Sequence, residues 1–380
     1  MHKLTLKDLS LKGKRVLMRV DFNVPSIADD SRIIASLPSI QYILNQGASL
    51  VLMSHLGRPK GKDPSLSLAP CAKRVGELLH KPVQMAPDCI GPVVEKMAKA
   101  LQPGQILLLE NLRFHAGEEA QDPEFVAGLA KLGDCYVNDA FGTAHRAHAS
   151  TAAIAKYFPG KSAMGFLMEK EIKALSPLLS NPGRPFYAII GGAKISSKIG
   201  VIQKLLERVD GLFIGGAMAF TFLKAQGITI GNSMCEDLKT VPKGNIHLPI
   251  DLVIADAFSN DAKRQTVPTQ QGIPPGWQGM DIGPQTVAAW GRLLKPAATI
   301  FWNGPVGVFE MPNFAAGTRK VAELLANSKA MTVVGGGDSV AAVEQMGLGD
   351  KMTYLSTGGG ASLEFLEFGH LPGIDALSDK

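Results

Sequence analysis

Tyr187-Ala188-Ile189-Ile190-Gly191-Gly192-Ala193-Lys194-Ile195-Ser196-Ser197-Lys198 is a short apolar run that stops at two glycines and continues into a lysine-bearing segment. Four more runs in the second half end the same way. They are Leu212–Ile214 before Gly215-Gly216, Thr299–Asn303 before Gly304, Thr332–Val334 before Gly335-Gly336-Gly337, and Tyr354–Thr357 before Gly358-Gly359-Gly360. Short β-rich runs of this kind, each followed by a helical pattern, predict buried parallel strands. In open α/β sheets ligands bind beyond the carboxyl ends of such strands. Glycine there lets backbone N–H groups approach a phosphate closely. Five such ends predict a broad polyphosphate platform.

The first half alternates in the same manner. Strands are expected at 15–22, 50–55, 106–112 and 135–140, with helical patterns around 31–46, 67–79, 92–101 and 122–132. Pro38 lies inside the first of these and weakens it. At 380 residues the chain exceeds one ordinary core, and 46% hydrophobic content supports two. Residues 166–179 read as an amphipathic helix ahead of Asn181-Pro182-Gly183, so the division falls there. The expected domains are 1–166 with a returning tail 364–380, a connecting helix 167–180, and 181–363. The fold class is α/β, two Rossmann-like domains with parallel sheets.

Charge narrows the ligand class. The net charge is +5, and residues 1–170 carry 21 Lys and Arg against 16 Asp and Glu, while residues 171–380 carry 18 against 18. An excess confined to the first half suits an anion. Aromatics at 6% and the lack of a dense basic run argue against a nucleic-acid surface. No apolar run approaches the ~18 residues that span a bilayer, and no signal-peptide core is evident. Cys71, Cys89, Cys135 and Cys235 are widely separated, which fits reduced thiols in a cytoplasmic protein.

Strand ends in the first half carry charge where those of the second carry glycine. They read Arg19–Pro25 (with Asp21 and Asn23), Ser54–Pro59 (with His55 and Arg58), Glu110–Phe114 (with Arg113) and Val137–His148 (with His145, Arg146 and His148). Parallel strands bring these ends to one sheet edge. Guanidinium groups there match a small, highly charged anion bidentately. Any one arginine could simply pair with a nearby acid; four coincident polar strand ends need a common cause. His145 and His148 lack partners at metal-ligand spacing.

In the second half Lys194 and Lys198, four apart at an expected helix start, would share one face and reach phosphates at its N-terminus. Asp338, after three glycines, suits either a helix N-cap or a Mg²⁺ ligand, and spacing does not decide between them. Walker A, GxGxxG and GxSxG patterns are absent.

Taken together, DFNVP, SHLGRP, ENLRF, NDAFGTAHRAH, GGAKISSK, GGAMAFTF, WNGPVGVFE, VVGGGDS and STGGGASLEFLE resemble, in order and across nearly the whole chain, the phosphoglycerate kinase family. The resemblance implies reversible phosphoryl transfer between 1,3-bisphosphoglycerate/ADP and 3-phosphoglycerate/ATP, in glycolysis and gluconeogenesis. It implies 3-phosphoglycerate on the first domain, MgATP or MgADP on the second, and a monomer whose domains close by hinge bending. Asp21 and Asn23 would hold the glycerate hydroxyl region, and His55, Arg58, Arg113 and Arg146 its phosphate. Arg32 would face the reacting carboxylate. Lys194 would meet the transferred phosphoryl group and Lys198 the nucleotide phosphates. Asn303 would lie by the triphosphate, Glu310 by the ribose, and Asp338 at Mg²⁺ beside Gly336, Gly337 and Ser339.

Three departures accompany the resemblance: a short loop at 26–31, Ala217 after Gly215-Gly216, and Phe368-Gly369-His370 near the tail. The alternatives are a kinase for another small acid on the same scaffold and a catalytically idle nucleotide-binding relative.

Overall fold

The computed structural model describes every residue except Met1, Pro25 and Lys239. Pro25, the last residue of DFNVP, therefore lies outside the described residues. The chain divides into two compact units. The first runs to Lys173 and takes in His370–Lys380; the second is Ala174–Gly369.

In the first unit β1 (Arg15–Arg19), β2 (Ser49–Met53), β3 (Val83–Met85), β4 (Ile106–Leu108), β5 (Cys135–Asn138) and β6 (Ser162–Met164) form one sheet in the order β3-β4-β2-β1-β5-β6. Every neighbouring pair is parallel. The central strands read as continuous apolar runs because both faces are covered: Val16, Leu17, Met18, Leu50, Val51 and Leu52 are all fully buried. β3 and β6, of three residues each, are too brief to show a period and were not expected from sequence. The helix Ser31–Asn45 runs through Pro38. Burial of Ile33, Ile40, Ile43 and Leu44 outweighs the one hydrogen bond that proline removes.

The C-terminal segment closes this unit. Leu4 N donates to Ser378 O, Met164 N to Leu4 O, Ser378 N to Ser162 O and Lys380 N to His2 O. Leu371, Ile374 and Leu377 are buried. The returning segment is His370–Lys380; residues 364–369, placed in the tail by sequence, belong to the second unit. There Phe365 and Leu366 are buried and Leu366 O accepts from Arg208. The helix Phe166–Ser180 begins in the first unit and ends in the second.

The second unit holds β7 (Phe186–Ile190), β8 (Gly211–Ile214), β9 (Ile246–His247), β10 (Asp251–Ala255), β11 (Arg264–Pro268), β12 (Gln278–Ile282), β13 (Thr299–Asn303), β14 (Met331–Gly335) and β15 (Tyr354–Leu355). Six of these make a parallel sheet, β15-β14-β13-β7-β8-β9. Its core includes Trp302, Trp290, Phe213, Val321 and Val343. The uninterrupted strand–glycine–helix alternation expected here is broken by an antiparallel sheet, β11-β10-β12. β11 (RQTVP) is almost wholly exposed, so it lacks the apolar signature of a buried strand.

Candidate functional site

Each unit carries a polar array at the carboxyl ends of its parallel strands. In the first unit the centre is His55, buried just past β2. Arg19, at the end of β1, is itself buried; its Nη2 lies 3.0 Å from His55 Nδ1 and its Nε donates to Ser150 Oγ at 2.9 Å. Ser150 Oγ in turn donates to Glu118 Oε1 at 2.5 Å. A buried arginine is thus tied to a buried carboxylate through one hydroxyl. With Arg19 donating to Nδ1, His55 keeps its proton on Nε2 and can offer it to an anion.

Around this centre the predicted side chains assemble. Asn23 Oδ1 accepts from Gly57 N at 2.9 Å, which fixes the turn bearing Arg58. Arg113 Nη1 donates to Gly57 O at 2.7 Å, and its Nε is 3.1 Å from Glu119 Oε1. Arg58, Arg113, His115 and Glu119 line a cavity of ≈ 350 Å³. Arg32 pairs with Asp21 at 2.9 Å, and Arg146 Nε reaches His145 Nε2 at 3.2 Å.

Electrostatics show that these groups share one field. Burial, then the charges of Arg19, Arg113, Arg146 and Arg32, hold His55 well below its ordinary pKa. Burial is likewise the leading cause that brings His148 down to about 4, with Arg113, Arg146 and Arg19 adding to it. Arg113 is lowered by burial and by Arg146, Arg19 and Arg58. Cations that repel one another across a half-buried cleft are arranged for a multivalent anion. Arg19 sits at the end of an apolar strand, which hides it as a site residue in the sequence. Its partners Ser150 and Glu118 are far away in the chain.

In the second unit the array is a cradle of main chain. Gly192 has φ 108°, and a Cβ at Gly191 would come within 2.1 Å of Pro305 O, so only glycine permits this approach of two strand ends. Lys198 Nζ donates to Gly191 O and to Asn303 Oδ1, both at 2.8 Å. Burial lowers this ammonium to about 8, with Asp338 opposing the shift. Asn303 Nδ2 is buried without a hydrogen-bond partner among the described residues. Ser339 Oγ accepts from Gly304 N at 2.5 Å and locks the β13 turn to the helix Gly337–Gln345.

Two local expectations are corrected here. Lys194 and Lys198 do not share a helix face, because the helix starts at Ile199 with Lys198 as its N-cap. Lys198 folds back into the glycine turn, whereas Lys194 stays exposed with its charge acting on Glu236. Asp338 is not the N-cap of its helix: Gly336 (φ 90°) holds that position and Asp338 lies exposed in the first turn. A Cβ at Gly336 would come within 2.9 Å of Asn303 Nδ2.

Beside the cradle is a mostly apolar cavity of ≈ 260 Å³. Gly192, Gly216, Ala217, Val306, Glu310 and Asp338 line it. So do Phe220, Met234 and Phe258, which sequence reading did not single out. Met234 and Phe258 are 60% and 65% exposed, large apolar side chains held open at a cavity mouth.

Residues 6–369 match the family model for phosphoglycerate kinase. The chain belongs to the phosphoglycerate kinase family. It is 54% identical to the phosphoglycerate kinase of Roseiflexus castenholzii and 55% identical to that of Moorella thermoacetica, over the full length of each chain. Its fold matches the solved phosphoglycerate kinase of Coxiella burnetii with a TM-score of 0.86 at 41% identity. That of Pyrococcus horikoshii matches with a TM-score of 0.86 at 33% identity; both alignments cover 98% of each chain. The activity is that of a phosphoglycerate kinase, a phosphotransferase, and nothing favours an idle relative. Among the described residues no helix is long and apolar enough to cross a membrane.

Proposed function

We propose that the chain transfers a phosphoryl group reversibly between 1,3-bisphosphoglycerate/ADP and 3-phosphoglycerate/ATP, with one substrate on each unit. The observation that carries this reading is the contrast between the two arrays. Arg58, Arg113 and Arg146 with His55 form a cationic cleft suited to a small phosphorylated acid. Glycine turns around Lys198 and Asn303, beside an apolar cavity, suit a nucleotide. Asp21 and Asn23 take the glycerate hydroxyl region, and Glu310 the ribose.

A carboxylate acceptor is ionised at neutral pH, so the reaction needs no general base. It needs positioning and charge neutralisation. Arg32 orients the acceptor carboxylate once released from Asp21. Lys194, exposed beside the glycine turn, meets the moving phosphoryl group. Lys198 and Asn303, with the N–H groups of Gly336, Gly337 and Ser339, hold the nucleotide phosphates.

Asp338 fits Mg²⁺: it is an exposed carboxylate on the cavity wall beside Lys198 and the glycine turn, and hard cations prefer oxygen donors. Mg²⁺, when bound with the nucleotide, would neutralise phosphate oxygens. A cytoplasmic monomer belongs to the same reading; the four free cysteines, three of them buried, suit a reducing compartment.

The test is an assay of ATP-dependent 3-phosphoglycerate phosphorylation coupled to a dehydrogenase. Turnover is expected with 3-phosphoglycerate and not with a panel of unphosphorylated small carboxylic acids. Turnover on one of those acids alone would replace this reading by a different acid kinase.

A further inference from the structure

At the carboxyl ends of β3 and β4 three different donor groups meet. Asp88 and Cys89 lie on the turn that follows β3, and His115 follows the short helical turn Leu112–Phe114 beyond β4. One carboxylate oxygen, the Cys89 sulfur and one ring nitrogen all lie within 4.8 Å of each other. His115 Nε2 is 2.5 Å from Asp88 Oδ1.

The geometry is held from several sides. Glu110 N donates to Asp88 O, and Cys89 Sγ donates to Glu110 O at 3.0 Å. Cys89 N donates to Asp88 Oδ1 at 2.7 Å. The His115 ring stacks on Phe125 at 5.0 Å, which fixes its plane. Burial first, then the charges of Asp88, Glu118 and Glu110, push the Cys89 thiol well above its ordinary pKa, with Lys62 opposing them, so an ion bound there would have to displace the thiol proton.

We propose that Asp88, Cys89 and His115 bind one transition-metal ion of the zinc class. A thiolate, an imidazole and a carboxylate are the donors such an ion takes, and magnesium or calcium would not select a sulfur. Three protein ligands leave a fourth position for water, as in exchangeable zinc sites. The site is separate from the proposed magnesium position at Asp338, which offers only oxygen. His115 also lines the cavity that holds Arg58 and Arg113, so the ion would sit at the rim of the cationic cleft.

The test uses the full chain, stripped of metal and titrated with Co²⁺ in saturating Mg²⁺, so that oxygen-only sites are filled. One equivalent is expected to give the strong near-ultraviolet absorption of a cobalt–thiolate bond. Cys89→Ser removes that absorption, and His115→Ala or Asp88→Asn weakens cobalt binding about tenfold or more. His115, partly exposed, provides the variant to rely on should the buried serine disturb folding, which a thermal melt reports. No thiolate absorption in the wild type, or the same absorption and affinity in Cys89→Ser and His115→Ala, would overturn the site.

Discussion

Lys198 Nζ donates to Asn303 Oδ1 at 2.8 Å, joining the glycine turn after β7 to the end of β13. The same amide leaves its Nδ2 buried and without a hydrogen-bond partner among the described residues. A cation and an amide donor therefore wait together in a space enclosed by glycine backbone. Burial lowers the lysine to about 8, below its ordinary 10.5. Between those values the fold holds fewer protons than the unfolded chain, so this group makes stability rise with pH across that window. A bound phosphate would restore the proton. ADP binding at pH 8 is thus expected to take up protons and at pH 6 to take up none through this group. Calorimetry in buffers of different ionisation heat reads the difference, and equal uptake at both pH values would remove Lys198 from the phosphate site.

Lys194 differs from Lys198 in being exposed. Lys194→Ala is expected to lower kcat at least a hundredfold while ADP affinity changes less than threefold, because only transition-state contacts are lost. Steady-state kinetics beside calorimetry checks this. Matching losses in both would make Lys194 an ordinary binding residue.

Arg113 contributes through its guanidinium to the field on His55 and to the turn at Gly57. Arg113→Ala should weaken 3-phosphoglycerate binding by roughly 1.5–3 kcal/mol, the range for a hydrogen bond to a charged group, and leave ADP binding unchanged. Isothermal titration with each ligand decides it, and unaltered 3-phosphoglycerate affinity would exclude Arg113 from the pocket.

The C-terminal segment predicts a stability effect confined to one unit. Ile374 is fully buried in the first unit. Ile374→Ala should cost about 2–5 kcal/mol. All three tryptophans, Trp277, Trp290 and Trp302, belong to the second unit. Urea unfolding followed by circular dichroism should shift, while the tryptophan fluorescence transition stays near its wild-type midpoint. A fluorescence shift as large as the dichroism shift would contradict this.

What the sequence makes legible is local. Apolar runs ending in glycine mark β7, β8, β13, β14 and β15 because strand and ligand-facing turn are adjacent in the chain. The charged strand ends mark Asp21, His55, Arg58, Arg113 and Arg146 for the same reason. Arrangements made by distant segments stay hidden. Arg19 reads as an interruption of a strand until Ser150 and Glu118 are seen beside it. The β10–β12 sheet escapes notice because exposed β11 has no buried face to impose a period. The lysine pair suggests a helix face, but Gly192 turns the chain and delays the helix to Ile199. Asp88, Cys89 and His115 become neighbours only when β3 pairs with β4.

The central claim is that the acid and the nucleotide bind on separate units. Amide chemical shifts of the isotope-labelled full chain, recorded with 3-phosphoglycerate alone and then with MgADP alone, test it most directly. The account predicts that the acid perturbs residues around His55, Arg58 and Arg113, and that the nucleotide perturbs those around Gly192, Lys198 and Gly336. Perturbation of one and the same unit by both ligands would contradict it.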